Sequence, residues 1–215
     1  MKDCKKLILV GGGGHCKSVI DIAEELGYDI LGILDTEDKV GTSVLNYKVI
    51  GTDDDIPKYV DKALFVVTVG QIKENVIRRK VAGLIDKAGG KYATLIATDA
   101  HVSKYAQIGE DTVVMHKAIV NADSKIGRNC IINTMANIEH DVVMGEFCHI
   151  STGCMINGDT IIGNNVFVGS NSEIHNCKTI VDDVVIAAGS SVYKDIVEAG
   201  VYIGTPVEFL KRNKI

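Results

Sequence analysis

A period of six in the second half constrains this chain more than any other feature of its sequence. From Ile96 a β-branched residue or Met stands at every sixth position, through Val102, Ile108, Val114, Val120, Ile126, Ile132, Ile138, Met144, Ile150, Ile156, Ile162, Val168, Ile174, Ile180 and Ile186 to Val192, without a gap. Such a period does not match the ~3.6 residues of an α-helical turn, nor does it hold one face of a long helix. Short strands joined by turns, each sending one aliphatic side chain inward, do satisfy it, and they build a parallel β-helix. Glycine follows the aliphatic residue at Gly109, Gly127, Gly145 and Gly163, a spacing of 18, so three hexads make one coil of a triangular prism and one corner of each coil wants Gly. Two residues before the aliphatic position the side chain is usually small: Ala100, Ala106, Thr112, Ala118, Ser124, Cys130, Ala136, Cys148, Cys154, Thr160, Ser172 and Ser190. A tight prism has room for nothing larger there. Its narrow core leaves apolar residues on the flat sides, and self-association is the expected remedy.

Composition removes several classes of partner. A net charge of −5 gives no electrostatic footprint for nucleic acid or an anionic membrane. The apolar run Leu7 to Val10 is too short for a signal peptide, and no later run approaches a membrane span, so a cytoplasmic location is expected. Of the six cysteines, Cys130, Cys148 and Cys154 fall in the repeat and read as reduced, buried thiols. No Cys or His spacing suggests a metal.

The first part of the chain has a different period. Lys6 to Val10 reads as a buried strand, Gly11 to Gly14 as a turn, and Val19, Ile20, Ile22, Ala23 and Leu26 as the apolar face of a helix that closes at Gly27. Further strands are predicted at Ile30 to Leu34 and Ala63 to Val69, and a helix from about Gln71 to Ala88 that stops at Gly89-Gly90. This is a small α/β domain with a parallel sheet, Rossmann-like in its βαβ order. The predicted boundaries are 1–92 for it, 93–196 for the β-helix and 197–215 for a closing segment. A strand, a glycine turn and a helix N-terminus make an anion site. The turn fails both as a dinucleotide fingerprint and as a Walker A loop, because Cys16 stands where each needs glycine. What remains is Gly12, Gly13, Gly14 and His15 at the helix start, with Asp35 at the end of the next strand, a set that suits a nucleotide or sugar diphosphate. A turn that binds nothing stays open as the other reading.

Among six histidines, His140 stands out because it lies between two carboxylates, Glu139 and Asp141, two residues after the inward Ile138. A carboxylate beside an imidazole holds one tautomer and stabilises the imidazolium formed when the ring takes a proton. Steps of 18 from His140 reach Gly158, Asn176 and Lys194, one column on one face. A pantetheine arm along that column would pass the open backbone of Gly158 and bring the CoA phosphates toward Lys194.

The hexads resemble the left-handed β-helix of hexapeptide-repeat acyltransferases, which implies a homotrimer with active sites between neighbouring prisms. With VGGGGHCKSVIDIA ahead of them, the whole chain is similar to a family of bacterial sugar acetyltransferases. It includes the bacillosamine-pathway and perosamine N-acetyltransferases and the sialic acid O-acetyltransferases. That resemblance implies acetyl-CoA as co-substrate, no metal, and a nucleotide sugar held by the first domain near Gly14 and His15. Within the segment INTMANIEHDVVMGEFCHIS it implies His140 as general base, Asp141 as its partner, Asn133 near the base, and His149 at acetyl-CoA, with Ala188 placed among the cofactor contacts. The expected reaction is acetylation of the 4-amino group of a UDP- or GDP-linked amino-deoxy sugar. Sialic acid O-acetylation and a non-catalytic, trimeric nucleotide-sugar-binding module remain as alternatives. A trimeric carbonic anhydrase on the same scaffold needs a His-x4-His pair that this chain lacks.

Overall fold

The computed structural model describes residues 5–71 and 75–211. It divides into two compact units, one ending at Thr98 and one starting at Asp99. Residues 72–74, inside the second predicted helix, and 212–215, inside the predicted closing segment, lie outside the described residues.

The first unit is built on a five-stranded sheet in the order β3-β4-β2-β1-β5, with β1 Lys6–Val10, β2 Asp29–Leu34, β3 Ser43–Val44, β4 Tyr47–Gly51 and β5 Leu64–Val67. Strand β1 runs parallel to both β2 and β5, and Leu7, Ile8 and Leu9 are wholly buried, as a central strand covered on both faces requires. Helix α1, Gly14–Glu25, buries Cys16, Val19, Ile20, Ile22 and Ala23, and Gly27 ends it at φ 74°. The sequence did not reveal β3 and β4, an antiparallel pair at the sheet edge. In β4 Val49 and Gly51 are buried while Ile50 is exposed, so its burial alternates but its hydropathy does not.

Helix α2 spans Val76–Ala88, so Gln71 is not part of it, contrary to the expected start. The loop after β5 is committed elsewhere: Thr68 Oγ1 donates to the Gly11 carbonyl at 2.5 Å, and a Cβ on Gly11 would lie 2.7 Å from Val69 Cγ2. A chain tied to the glycine turn in this way cannot wind until it leaves it. The helix stops at Gly89, φ 78°, in the left-handed conformation expected there.

The second unit is the left-handed parallel β-helix that the hexads predict. Two-residue strands spaced by 18 pair in register, as in Ile119↔Asn137↔Met155 and Lys125↔Val143↔Ile161. One prism side runs from His101–Val102 through Asn137–Ile138 to Ser191–Val192, and the next from Gln107–Ile108 through Val143–Met144 to Thr179–Ile180. A third carries Ile131–Ile132, His149–Ile150 and Phe167–Val168, and at its C-terminal end gains Gly200–Gly204 and its antiparallel partner Val207–Lys211. The inward aliphatic residues from Val114 to Val192 are at most 4% exposed.

Three local rules hold the coils together. Three residues after each inward aliphatic from Ile108 onward the backbone is left-handed, at Asp111, Lys117, Asp123, Asn129 and so on through Asp183, with Gly153 and Gly189 in the same series. Asn and Asp recur there because their short polar side chains tolerate that conformation. The corner glycines answer to space, not to φ: a Cβ on Gly127 would sit 2.5 Å from the Gly145 carbonyl oxygen of the next coil. The small inward residues are also donors. Thr112 Oγ1 bonds to Gly127 O at 2.9 Å, Cys130 Sγ to Gly145 O at 3.2 Å and Cys148 Sγ to Gly163 O at 3.1 Å. Size alone does not explain their composition. Cys16, Cys130, Cys148, Cys154 and Cys177 are all free thiols, and burial pushes the Cys154 thiol up to about 11.

Candidate active site

His140 occupies the corner that follows the strand Asn137–Ile138. Its Nδ1 lies 2.7 Å from Asp141 Oδ2, and Asp141 itself is the left-handed residue of that corner, φ 61°. The corner conformation thus turns the carboxylate back onto the imidazole. An ionised Asp141 accepts the Nδ1 proton and leaves Nε2 as the free basic nitrogen. The Asp141 hydrogen bond raises the His140 pKa above its ordinary value against desolvation, and the charges of Asp141, Asp159 and Glu139 add to the rise. The ring is 61% exposed. One coil on, Gly158 stands against it: a Cβ there would lie 2.7 Å from Cε1 and 2.9 Å from Nε2 of His140. Only glycine leaves the basic nitrogen accessible from that side.

Asn176 and Lys194 continue this column at the 18-residue step, both exposed. Asn133, His149 and Ala188 do not join it within one chain. Asn133 Nδ2 lies 3.0 Å from His149 Nε2, and Asn133 Oδ1 accepts the Thr134 N–H at 2.8 Å. His149 is buried on the third prism side, edge-on to Phe167 with ring centroids 5.2 Å apart. Ala188 lies on the corner after that side, in register with Ser170 one coil earlier. The candidate residues therefore form two groups, one on the corner after Asn137–Ile138 and one on the third side and the corner that follows it.

In the first unit, Gly13 is the N-cap of α1 with no side-chain cap, and a Cβ on Gly13 or Gly14 would meet nothing within 4 Å. Space for a ligand at the helix N-terminus is therefore real. His15 is half-buried on the first turn. Asp35 is occupied: Oδ2 accepts from Gly12 N at 2.6 Å and Lys39 Nζ at 2.9 Å, and Oδ1 accepts from Thr36 N at 2.7 Å. Partial burial pushes the Asp35 carboxyl up, but Lys39 and the Thr36 and Gly12 N–H groups together hold it below the usual range. Asp35 braces the glycine turn, with few lone pairs left over.

Comparison with known proteins finds the PglD N-terminal domain over residues 6–85 and the bacterial transferase hexapeptide (six repeats) over 105–140 and 141–176. The acetyltransferase domain of PglB from Neisseria gonorrhoeae FA1090 superposes with a TM-score of 0.88 at 33% identity, covering 96% of this chain and 100% of that one. The chain belongs to the hexapeptide-repeat sugar acetyltransferases. The same PglB domain has been solved with acetyl coenzyme A. PerB from Caulobacter crescentus, in complex with CoA and GDP-perosamine, matches at 30% identity with a TM-score of 0.89, covering 96% of this chain and 97% of that one. A curated relative, uncharacterized protein L142 of Acanthamoeba polyphaga mimivirus, is 34% identical over 115 residues, which span 54% of this chain but only 22% of that protein.

Sequence reasoning missed one buried charge in this acetyltransferase. Arg78 is wholly buried, and its Nη1 donates to Val67 O at 2.7 Å and Val69 O at 2.9 Å, tying down the end of β5 behind the glycine turn. Nothing in the run Val76-Ile77-Arg78-Arg79 marks it, since Val76 and Ile77 are 61% and 65% exposed while the arginine is not. The other omission is the clamp on Glu139 by Asn121 and Asn137.

Proposed function

We propose that the chain transfers an acetyl group from acetyl-CoA to the 4-amino group of a nucleotide-linked amino-deoxy sugar. His140 acts as general base and Asp141 as its orienting partner. The amine attacks the thioester carbonyl, its N–H proton passes to His140 Nε2, and the C–S bond breaks to release CoA as the thiol after the imidazolium returns that proton. A positioned base of this kind contributes about 10²- to 10⁴-fold in rate. The observation that carries the reading is the His140–Asp141 pair at 2.7 Å with Gly158 cleared beside it. GDP-perosamine bound to PerB supports the class of acceptor.

A homotrimer completes the site. One prism carries His140 and Asp141 on one corner, and Asn133 and His149 at its third side, so a second copy supplies whichever group the first holds away from the reacting atoms. The open N-terminus of α1 at Gly13, Gly14 and His15 takes the sugar nucleotide's phosphates, and the reaction runs in the cytoplasm.

The test is thiol release from acetyl-CoA against UDP- and GDP-linked 4-amino-4,6-dideoxy sugars and free sialic acid. Turnover of an amino sugar nucleotide that His140→Ala abolishes supports the proposal. Turnover with sialic acid alone moves the enzyme to O-acetylation. Background rates with all acceptors, unchanged in His140→Ala, leave only a binding module.

A further inference from the structure

On the prism side that ends at His140, Glu139 is gripped by two amides. Asn121 Nδ2, one coil earlier, donates to Oε2 at 3.0 Å, and Asn137 Nδ2, on the same strand, donates to Oε1 at 2.8 Å. All three side chains are half-buried. Because Asn137 spends its NH2 group on Glu139, its Oδ1 faces away, and it is buried with no hydrogen-bond partner among the described residues. A buried carbonyl oxygen without a donor is costly, and a clamp serving only the backbone has no reason to leave one. The backbone is already held: the Glu139 N–H donates to Ile156 O at 2.9 Å and its carbonyl accepts Ser124 Oγ at 2.8 Å. The orientation of Asn137 is thus spent on Glu139 at the expense of its own carbonyl oxygen, and the result beside the base is one fixed carboxylate.

We infer that Asn121 and Asn137 hold Glu139 as a specificity determinant of the acceptor sugar, where the Glu139 carboxylate accepts a hydrogen bond from the hydroxyl next to the reacting amine. The inference rests on the acetyl transfer proposed above. Acceptor atoms of this kind could also take the amide N–H groups of a pantetheine arm, but direction argues for the sugar. Gly158 leaves backbone clear on the coil after His140, whereas the clamp reaches back to Asn121 on the coil before it. A cofactor lying over Gly158 and an acceptor lying over Glu139 meet at His140 from opposite sides.

The test compares wild type, Glu139→Gln, Asn121→Ala and His140→Ala, using UDP- and GDP-linked 4-amino-4,6-dideoxyhexoses, each with its 3-hydroxyl and as the 3-deoxy compound. Thermal unfolding of each variant confirms its fold, and Asn121→Ala, which removes a single amide outside the triplet, stands in if Glu139→Gln does not fold. Wild type should prefer the hydroxylated acceptor about tenfold or more in kcat/KM, the scale of one hydrogen bond to a charged group. Glu139→Gln and Asn121→Ala should raise KM for that acceptor about tenfold, leave KM for acetyl-CoA within about twofold, and lose the preference over the 3-deoxy compound. A preference that survives in Glu139→Gln overturns the inference, and so does a rise in KM for acetyl-CoA instead of the acceptor. If Glu139→Gln matches wild type while His140→Ala is dead, only the clamp is wrong. If His140→Ala is also unaffected, the proposed chemistry is wrong.

Discussion

In the β-helix, Thr112, Cys130 and Cys148 perform one task on three successive coils, each donating to a corner carbonyl of the coil above. In the α/β unit, Arg78 ties the end of β5 from a single side chain, with two carbonyls on one nitrogen. The first arrangement spreads its interactions along the chain, so losing one donor leaves its neighbours in place. The second concentrates them at a point directly behind the glycine turn. The difference extends to the candidate sites: His140 sits on a corner of the repeat, whereas the glycine turn of the first unit depends on a few contacts that have no repeat behind them.

The largest expected effect lies on the β-helix and is catalytic. His140→Ala should lower kcat by about 10²- to 10⁴-fold. The ring is 61% exposed and serves no packing role, so the melting temperature should hold. A stopped assay for free CoA and a thermal scan on the same preparation read both. A variant that loses activity only because it unfolds would place His140 among structural residues and undo the contrast.

Arg78→Met comes next, and it should weaken the first unit by about 2–4 kcal/mol, because the carbonyls of Val67 and Val69 lose the Arg78 donor at a wholly buried side chain. The neighbouring Arg79→Met, on the exposed face of α2, should stay within about 0.5 kcal/mol of wild type. Hydrogen exchange resolved by peptide is the readout: β1 and β5 should lose protection in Arg78→Met while the β-helix strands keep theirs. Loss of protection in both units together would mean they unfold as one.

Glycines sharpen the comparison at a smaller scale. Gly127→Ala pushes a methyl to 2.5 Å from a backbone oxygen that cannot move without its whole coil, at a cost of about 1–3 kcal/mol. Gly14→Ala meets nothing within 4 Å and should leave stability close to wild type, as urea unfolding can show. Its effect, if Gly14 faces phosphate, belongs in KM for the sugar nucleotide.

The two units also differ in how much the sequence disclosed. Each inward position from Ile96 to Val192 repeats, so the coil, its 18-residue period and the meeting of Gly158 with His140 could be counted out. The left-handed corners that turn Asp141 onto His140 recur just as regularly, and Asp and Asn favour them, but Lys117, Met135, Phe147 and Cys177 also occupy them and blur the signal. Arg78 and the β3–β4 edge were invisible for a related reason. Burial there depends on contacts distant in sequence, such as Arg78 with Val67, and local hydropathy at Val76 and Ile77 points the wrong way. The partners of Asn133 and Asp35 came only from the structure, which gave Asn133 to His149 and Asp35 to Gly12 and Lys39.

The smallest effect is a shift in pH dependence, and it tests whether the corner geometry tunes the base or merely carries it. His140 must be neutral to accept a proton, so the rate falls as pH drops through its pKa. Asp141 and the flanking carboxylates raise that pKa, so the acid limb of kcat/KM should sit above the ~6.5 of an unperturbed imidazole. Asp141→Asn removes the largest cause and should move the limb down, while Asp159→Asn, which acts only through its charge, should move it down less. The linkage to stability has the opposite sense. A raised histidine pKa stabilises the fold below the unfolded value and loses that contribution as pH rises through the folded one. Both side chains of the pair are at least half exposed, so solvent screens the contribution and the rate profile is the sensitive readout. An acid limb that stays put in Asp141→Asn would mean that the 2.7 Å contact orients the ring without setting its basicity, and would reduce the corner to scaffold.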